Sequence, residues 1–301
     1  MVVVIFVLPR PGNEGESGIG DFTAGSDDGT LLAHPMLRFR VREKAATASA
    51  DAPCQTTGLH AWPSSLLLGA HVVEMGLRGG LRGFRVVELG AGTGIAGLCA
   101  ALSSPCHRVT LTDGDPKVVQ NLQRTVADLK DSLLVCPHIC DRDGATPTGA
   151  ASQTSKSNEA NGSEAGDRND GNDGLLMKVV RVQELEWGAT RPEDLQGYDA
   201  DIILGADCLY ERASWDDFLA TVYGLLVCAS KKGEGHAHQP RFLGCHQLRN
   251  SSHTLAPYLA HWGLQARALP MPGIVGRTES GGIVSSHFDD TLGLFELTLS
   301  A

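Results

Sequence analysis

Hydrophobic positions along the chain follow two rhythms. Short apolar runs, "FRVVELG", "RVTLTD", "KVVRVQEL", "YDADIILGAD" and "RFLGCHQL", carry little polar alternation and predict buried strands. Between them the spacing turns helical. In "DPKVVQNLQRTVADL" the apolar residues Val118, Leu122, Val126 and Leu129 fall on one helix face, with Asp115 suited to the N-cap and Pro116 to the first helical position. "SWDDFLATVYGLLV" predicts a second amphipathic helix and "HTLAPYLAHW" a shorter one. Upstream, "WPSSLLLGAHVVEMG" reads as a helix with Pro63 in its first turn and Leu66, Leu67, Ala70, Val73 and Met75 on its apolar face. Strands at "LQARAL" and "TLGLFELTL" close the pattern. Such alternation predicts an α/β fold: a doubly wound, mostly parallel sheet covered by helices on both faces. The last strand has no helix after it and is expected to insert antiparallel.

Two stretches depart from this rhythm. Residues 9–30 are rich in Gly, Pro, Ser and Asp and read as a flexible lead, followed by "LRFRVRE", an alternating strand. Residues 1–50 are therefore taken as a partly disordered N-terminal extension, and 51–301 as one domain. Residues 141–174 hold no Leu, Ile, Val, Met or aromatic residue. Such a segment cannot bury enough surface to offset its ordering entropy, so a disordered insertion is expected there, interrupting the domain without dividing it.

Composition narrows the class. With 25 Lys and Arg against 35 Asp and Glu, the formal charge is −10, which argues against a nucleic-acid-binding surface. No run reaches the ~18 apolar residues of a membrane helix. The start, "MVVVIFVLPRPG", lacks a basic leader and stops at Pro9, so a short strand or unstructured start is expected rather than a signal peptide. The eight cysteines sit without framework spacing, as reduced core residues of an intracellular protein do. "CPHIC" lacks a second pair at zinc-like spacing, "HAH" near Cys245 and His246 is the other candidate, and no metal is expected.

The candidate chemistry lies in "RVVELGAGTGIAG". A phosphate-cradling loop would need Gly-Lys-Ser/Thr, which is absent. A dinucleotide fingerprint would need G-x-G-x-x-G, but Gly90, Gly92 and Gly94 give G-x-G-x-G with Ile95 at the third glycine's place. Asp113 ends the second strand, where an acid can bond ribose hydroxyls. Glu88 would sit badly beside a pyrophosphate and well beside the ammonium of a methionine moiety. Together these favour S-adenosyl-L-methionine as cofactor.

"WPSSLLL", "VVELGAGTGIAGL", "VTLTDGDPKVV", "VVRVQELEWG" and "YDADIILGADCLY" resemble, in order, the signature segments of the class I (seven-β-strand) protein-lysine methyltransferases of methyltransferase family 16. The likeness covers about Gly58 to Val227, and its segments look like both the calmodulin-lysine branch and the branch acting on chaperones and related ATPases. It implies a Rossmann-like seven-stranded sheet with an antiparallel last strand. It also implies Trp62 packing at the cofactor, close backbone at Gly90, Ala91 and Gly92, and ribose on Asp113. Trp187 would flank the adenine, and Ala206 would line the pocket before a D-x-x-Y element, Asp207 to Tyr210. Glu186 departs from the family, where Asp often precedes this Trp. The expected reaction is methyl transfer to a lysine of a non-histone protein, with Asp207 orienting the amine or carrying its proton away and Tyr210 holding the cationic head. The expected setting is a cytoplasmic monomer, the nucleus being a second compartment, with a protein substrate and neither nucleic acid nor membrane as partner. A small-molecule N- or O-methyltransferase and a noncatalytic adaptor on the same fold are the competing readings.

Overall fold

The computed structural model describes residues 1–7, 36–43, 57–129, 134–135, 180–191, 193–231, 238–249, 254–278 and 291–300. The chain begins with β1 (Val2–Val7) and β2 (Met36–Val41), then α1 (Pro63–Leu77), β3 (Arg85–Glu88), α2 (Ile95–Ser103), β4 (Arg108–Asp113) and α3 (Pro116–Asp128). It continues through β5 (Leu134–Val135), β6 (Val180–Glu184), β7 (Ile202–Ala206), α4 (Trp215–Lys231) and β8 (Arg241–Gln247). The last elements are α5 (Ala256–His261), β9 (Leu264–Ala268), β10 (Val275–Thr278) and β11 (Leu292–Leu299).

The larger sheet has seven strands in the order β6-β4-β3-β7-β8-β11-β9. The five from β6 to β8 run parallel, and β11 inserts antiparallel between β8 and β9. This is the expected Rossmann-like topology with its antiparallel last strand. Local signals act where they were read: Pro63 opens α1, and the Asp115 carboxylate accepts from Lys117 N at 2.8 Å to cap α3. Between sheet and α1, helix α2 buries nearly its whole surface, which is why it carries no charge. One face of the sheet packs Leu67, Ile95, Leu98 and Leu122, the other Trp215, Phe218, Leu225 and Phe242.

A second sheet, β10-β1-β2-β5, is antiparallel throughout. Val4, Phe6, Leu37, Phe39 and Val41 are buried on one side of it, as the alternation in "LRFRVRE" requires, and Phe6 packs against α1 at Gly69. The strands of the first fifty residues thus join the domain's core instead of forming an extension outside it. The predicted lead at 9–30 and insertion at 141–174 lie outside the described residues. Among those described, no helix is long and apolar enough to cross a membrane.

The sheet also explains where a ligand can lie. Chain direction across it reverses between β3, whose helix leads to β4, and β7 on its other side. The carboxyl ends of strands at such a reversal bound an open crevice. β3 delivers the glycine turn to it, β4 delivers Asp113, and β7 delivers Asp207.

Candidate active site

The crevice is a cavity of about 600 Å³, inside the ~300–1,000 Å³ range of small-molecule sites. Gly90 and Gly92 line it, both at φ 56°, a left-handed conformation that side chains strain. Space excludes them too. A Cβ on Gly90 would lie 2.8 Å from the Trp187 ring, and one on Gly92 would lie 3.0 Å from Gly58 O. Between them, Ala91 N donates to Thr112 O at 2.8 Å, fixing the turn to the end of β4.

Asp113 meets that turn. Its carboxylate accepts from Gly92 N at 3.1 Å and from Asp115 N at 3.0 Å. Burial pushes the carboxyl above its ordinary value, only partly offset by those backbone bonds. Trp187 is half-buried beside the turn, its ring edge-on to Phe218 at 5.0 Å. Trp62 and Ala206 also line the cavity. The Trp62 ring is 37% exposed, and its Nε1 donates to Thr57 O at 3.1 Å, holding residues 57–62 over the crevice.

Glu88 requires a correction. It is 1% exposed and does not line the cavity; its Oε2 accepts from Gly97 N, at 2.8 Å, in the first turn of α2. The side chain turns from the strand's end back under the helix, so it cannot meet a ligand's ammonium. Burial pushes its carboxyl up to about 8, against the lowering effect of the Gly97 bond.

Asp207 requires another. Its carboxylate is answered by the chain's own guanidinium: Arg249 Nη1 donates to Oδ1 at 3.0 Å and Nη2 donates to Oδ2. His246 Nδ1 stands 3.4 Å from Oδ1. Burial raises the carboxyl, but the hydrogen bonds of His246 and Arg249 and the charge of Arg249 bring it below its ordinary value. A carboxylate this occupied is neither a base nor an open contact for an amine. Nor does it cap a helix, since the next helical turn begins at Arg212 after Glu211. Asp207 is the one non-glycine residue at positive φ among those described, at 57°. Asp207 and Tyr210 both line the cavity, Asp207 buried and Tyr210 51% exposed.

Arg249 went unread in the sequence. It lies just past the end of β8, and its Cζ sits 5.9 Å from the Trp62 ring centroid, within cation–π reach. Asp207, Arg249 and Trp62 thus form a clasp across the crevice mouth. The strand-end rule that located Asp207 applies equally to β8, and that was the available signal. His60, Ser65 and Asp115 are among the other lining residues that the sequence did not point to. Among the described residues, no group of three or more His, Cys, Asp or Glu could hold a metal ion.

This cradle fits S-adenosyl-L-methionine: bare backbone at two positions a Cβ would block, an acid at the strand end, and an indole on the wall. In sequence, residues 47–135 and 168–241 match the family described as lysine methyltransferase. A calmodulin-lysine N-methyltransferase of Arabidopsis thaliana is 26% identical over 180 residues, covering 60% of this chain and 44% of that protein. The chain thus spans less than half the length of that relative. The protein N-lysine methyltransferase METTL21A of Danio rerio is 29% identical over 161 residues, 54% of this chain and 52% of its own. The histone-arginine methyltransferase METTL23 of Rattus norvegicus is 23% identical over 214 residues, 71% and 70% of the two chains. The chain belongs to the lysine methyltransferase family, whose members are S-adenosyl-L-methionine-dependent methyltransferases.

Proposed function

We propose that the crevice holds S-adenosyl-L-methionine, with Asp113 on its ribose, Trp187 beside its adenine and the Gly90–Gly92 backbone against its amino-acid portion. We further propose that the acceptor is the side-chain amine of a lysine in a protein substrate, reached past Tyr210, and that the protein acts in the cytoplasm. The cofactor when bound supplies a methyl group already activated by a sulfonium. What remains for the protein is to position, to exclude water and to deal with a proton.

The proton is the larger difficulty. A lysine of pKa ~10.4 is almost wholly protonated at neutral pH, a handicap of roughly 4.6 kcal/mol. Asp207 does not serve as the base, because its oxygens accept from the Arg249 guanidinium and from Gln247 N. Water takes the proton as the amine leaves bulk solvent. The Tyr210 ring holds the ammonium form at the mouth, and its Oη accepts from the amine once one proton has gone.

The observation that carries the acceptor assignment is the occupied Asp207. A substrate guanidinium binds best to a carboxylate free for two parallel bonds. Here Arg249 already makes them, which argues against an arginine side chain docking on the acid beside Tyr210. The test is incubation with methyl-labelled S-adenosyl-L-methionine and cell extract, followed by hydrolysis of the labelled protein to amino acids. Label in methyl-lysines supports the reading; label in methylarginines overturns the acceptor, and label in small molecules alone overturns the substrate class.

A further inference from the structure

Arg249 is a wall between two cavities. On one side lies the crevice; on the other lies a cavity of about 270 Å³, which shares Tyr210 and Arg249 with it. The smaller cavity is otherwise lined by Leu209, Trp215, Leu248 and Leu255, with His246 and Thr254 as its remaining polar residues. It falls below the ~300–1,000 Å³ of small-molecule sites, and is of a size for a single side chain.

We propose that this smaller cavity is a substrate subsite, taking an aliphatic or aromatic side chain that flanks the target lysine in the protein substrate. The proposal rests on the lysine reading of the larger cavity. Charge separates the two compartments. Asp113, Asp115, Glu186 and the Arg249-paired Asp207 stand on the wall of the larger cavity, whereas among the described residues no acidic one lines the smaller. A lysine side chain is therefore drawn to the first and an apolar neighbour to the second. The shared wall sets the compartments side by side, and a residue one or two positions along an extended segment, at ~3.3 Å per residue, spans it.

Exposure points the same way. Six large apolar side chains are exposed among the described residues, and three of them, Trp62 at 37%, Leu248 at 47% and Tyr210 at 51%, stand on these two walls. Apolar exposure gathered around a cavity marks an interaction surface, where single scattered residues do not. Arg249 cannot retreat to open one large apolar groove without unpairing the buried Asp207 carboxylate, so the partition is part of the site.

The test uses the full chain and a peptide library with central lysine and randomised flanking positions, with labelled methyl transfer as readout. The unaltered protein should favour Leu, Ile, Met or Phe at one flanking position. Leu248→Glu places a charge on the subsite's rim, and Thr254→Trp fills it; both residues are exposed. Each should raise KM for the preferred peptides about tenfold, roughly one buried side chain's contribution, and erase the preference. S-adenosylhomocysteine affinity should not change. Met271→Glu, equally exposed but outside both cavities, should alter neither. Lysine peptides methylated without any apolar preference, or a preference that survives both variants, would overturn the subsite. A library modified only when arginine replaces the lysine would overturn the lysine reading, and the same two variants would then judge the subsite separately. No modification of either library by protein that binds S-adenosylhomocysteine would overturn both.

Discussion

Asp113 and Asp207 stand at the carboxyl ends of strands on opposite sides of β3, and they meet different company. Asp113 is held by backbone, through Gly92 N and Asp115 N, both close to it in the glycine turn and its own loop. Asp207 is held chiefly by the Arg249 guanidinium, with Gln247 N donating at 3.4 Å and His246 Nδ1 standing 3.4 Å away, all from the far end of β8. At Asp113 burial prevails and the carboxyl rises; at Asp207 hydrogen bonds prevail and the carboxyl falls. An acid bonded through backbone donors keeps charge and lone pairs for a ligand. An acid answered by a guanidinium is a positioning device. In the proposed reading, one side of the crevice takes the cofactor and the other shapes the approach of a substrate.

The sharpest way to break this contrast is Asp113→Ala. It removes charge-assisted bonds of about 2–3 kcal/mol, so S-adenosylhomocysteine affinity should fall roughly thirty- to over a hundredfold in calorimetry. Unchanged affinity in a folded variant would remove Asp113 from the cofactor side.

On the other side, Asp207→Asn and Arg249→Met should each lower stability by about 1–3 kcal/mol, since each leaves a partner unanswered and Arg249 is partly exposed. The double variant should lose less than the sum in chemical denaturation; strict additivity would show no clasp. Because the Asp207 carboxyl lies below its ordinary value, its contribution is complete above about pH 4 and disappears as pH falls through its folded value.

Glu88→Gln sharpens the comparison from a third strand end. The folded carboxyl titrates near 8, so between its ordinary value and there the folded state holds a proton that the unfolded chain has lost. Stability from this group therefore falls as pH rises through that window. Gln still accepts from Gly97 N, so melting curves should lose that slope, with a gain in stability at pH 8 and little change in cofactor affinity. A large affinity loss would put Glu88 back at the ligand. The smallest effect is expected at Tyr210→Ala: a two- to fivefold drop in kcat/KM, the ~0.5–1 kcal/mol of an exposed cation–π contact, at unchanged S-adenosylhomocysteine affinity.

The same contrast explains what could be read before the structure. The cofactor side is built from local patterns. A strand running into Gly90 and Gly92, an acid ending the next strand, and Asp115–Pro116 opening a helix all lie within short windows, and each was legible. The substrate side is built from contacts between distant segments. Nothing near Asp207 announces that Arg249 will take its carboxylate, or that Arg249 will lie over Trp62. Glu88 was misplaced for a related reason. Its proximity to the turn was correct, but side-chain direction at a strand end depends on which face the following helix covers, and Gly97 draws it under α2. The second sheet escaped as well, because β1 pairs with β10 from the other end of the chain.

A crystal structure with bound S-adenosylhomocysteine is the most direct test of the central claim. The account predicts ribose hydroxyls within hydrogen-bonding distance of the Asp113 carboxylate, the adenine beside Trp187, and the Arg249–Asp207 pair intact. Ligand resting on Glu88, or Arg249 released from Asp207 to bind the cofactor, would contradict it.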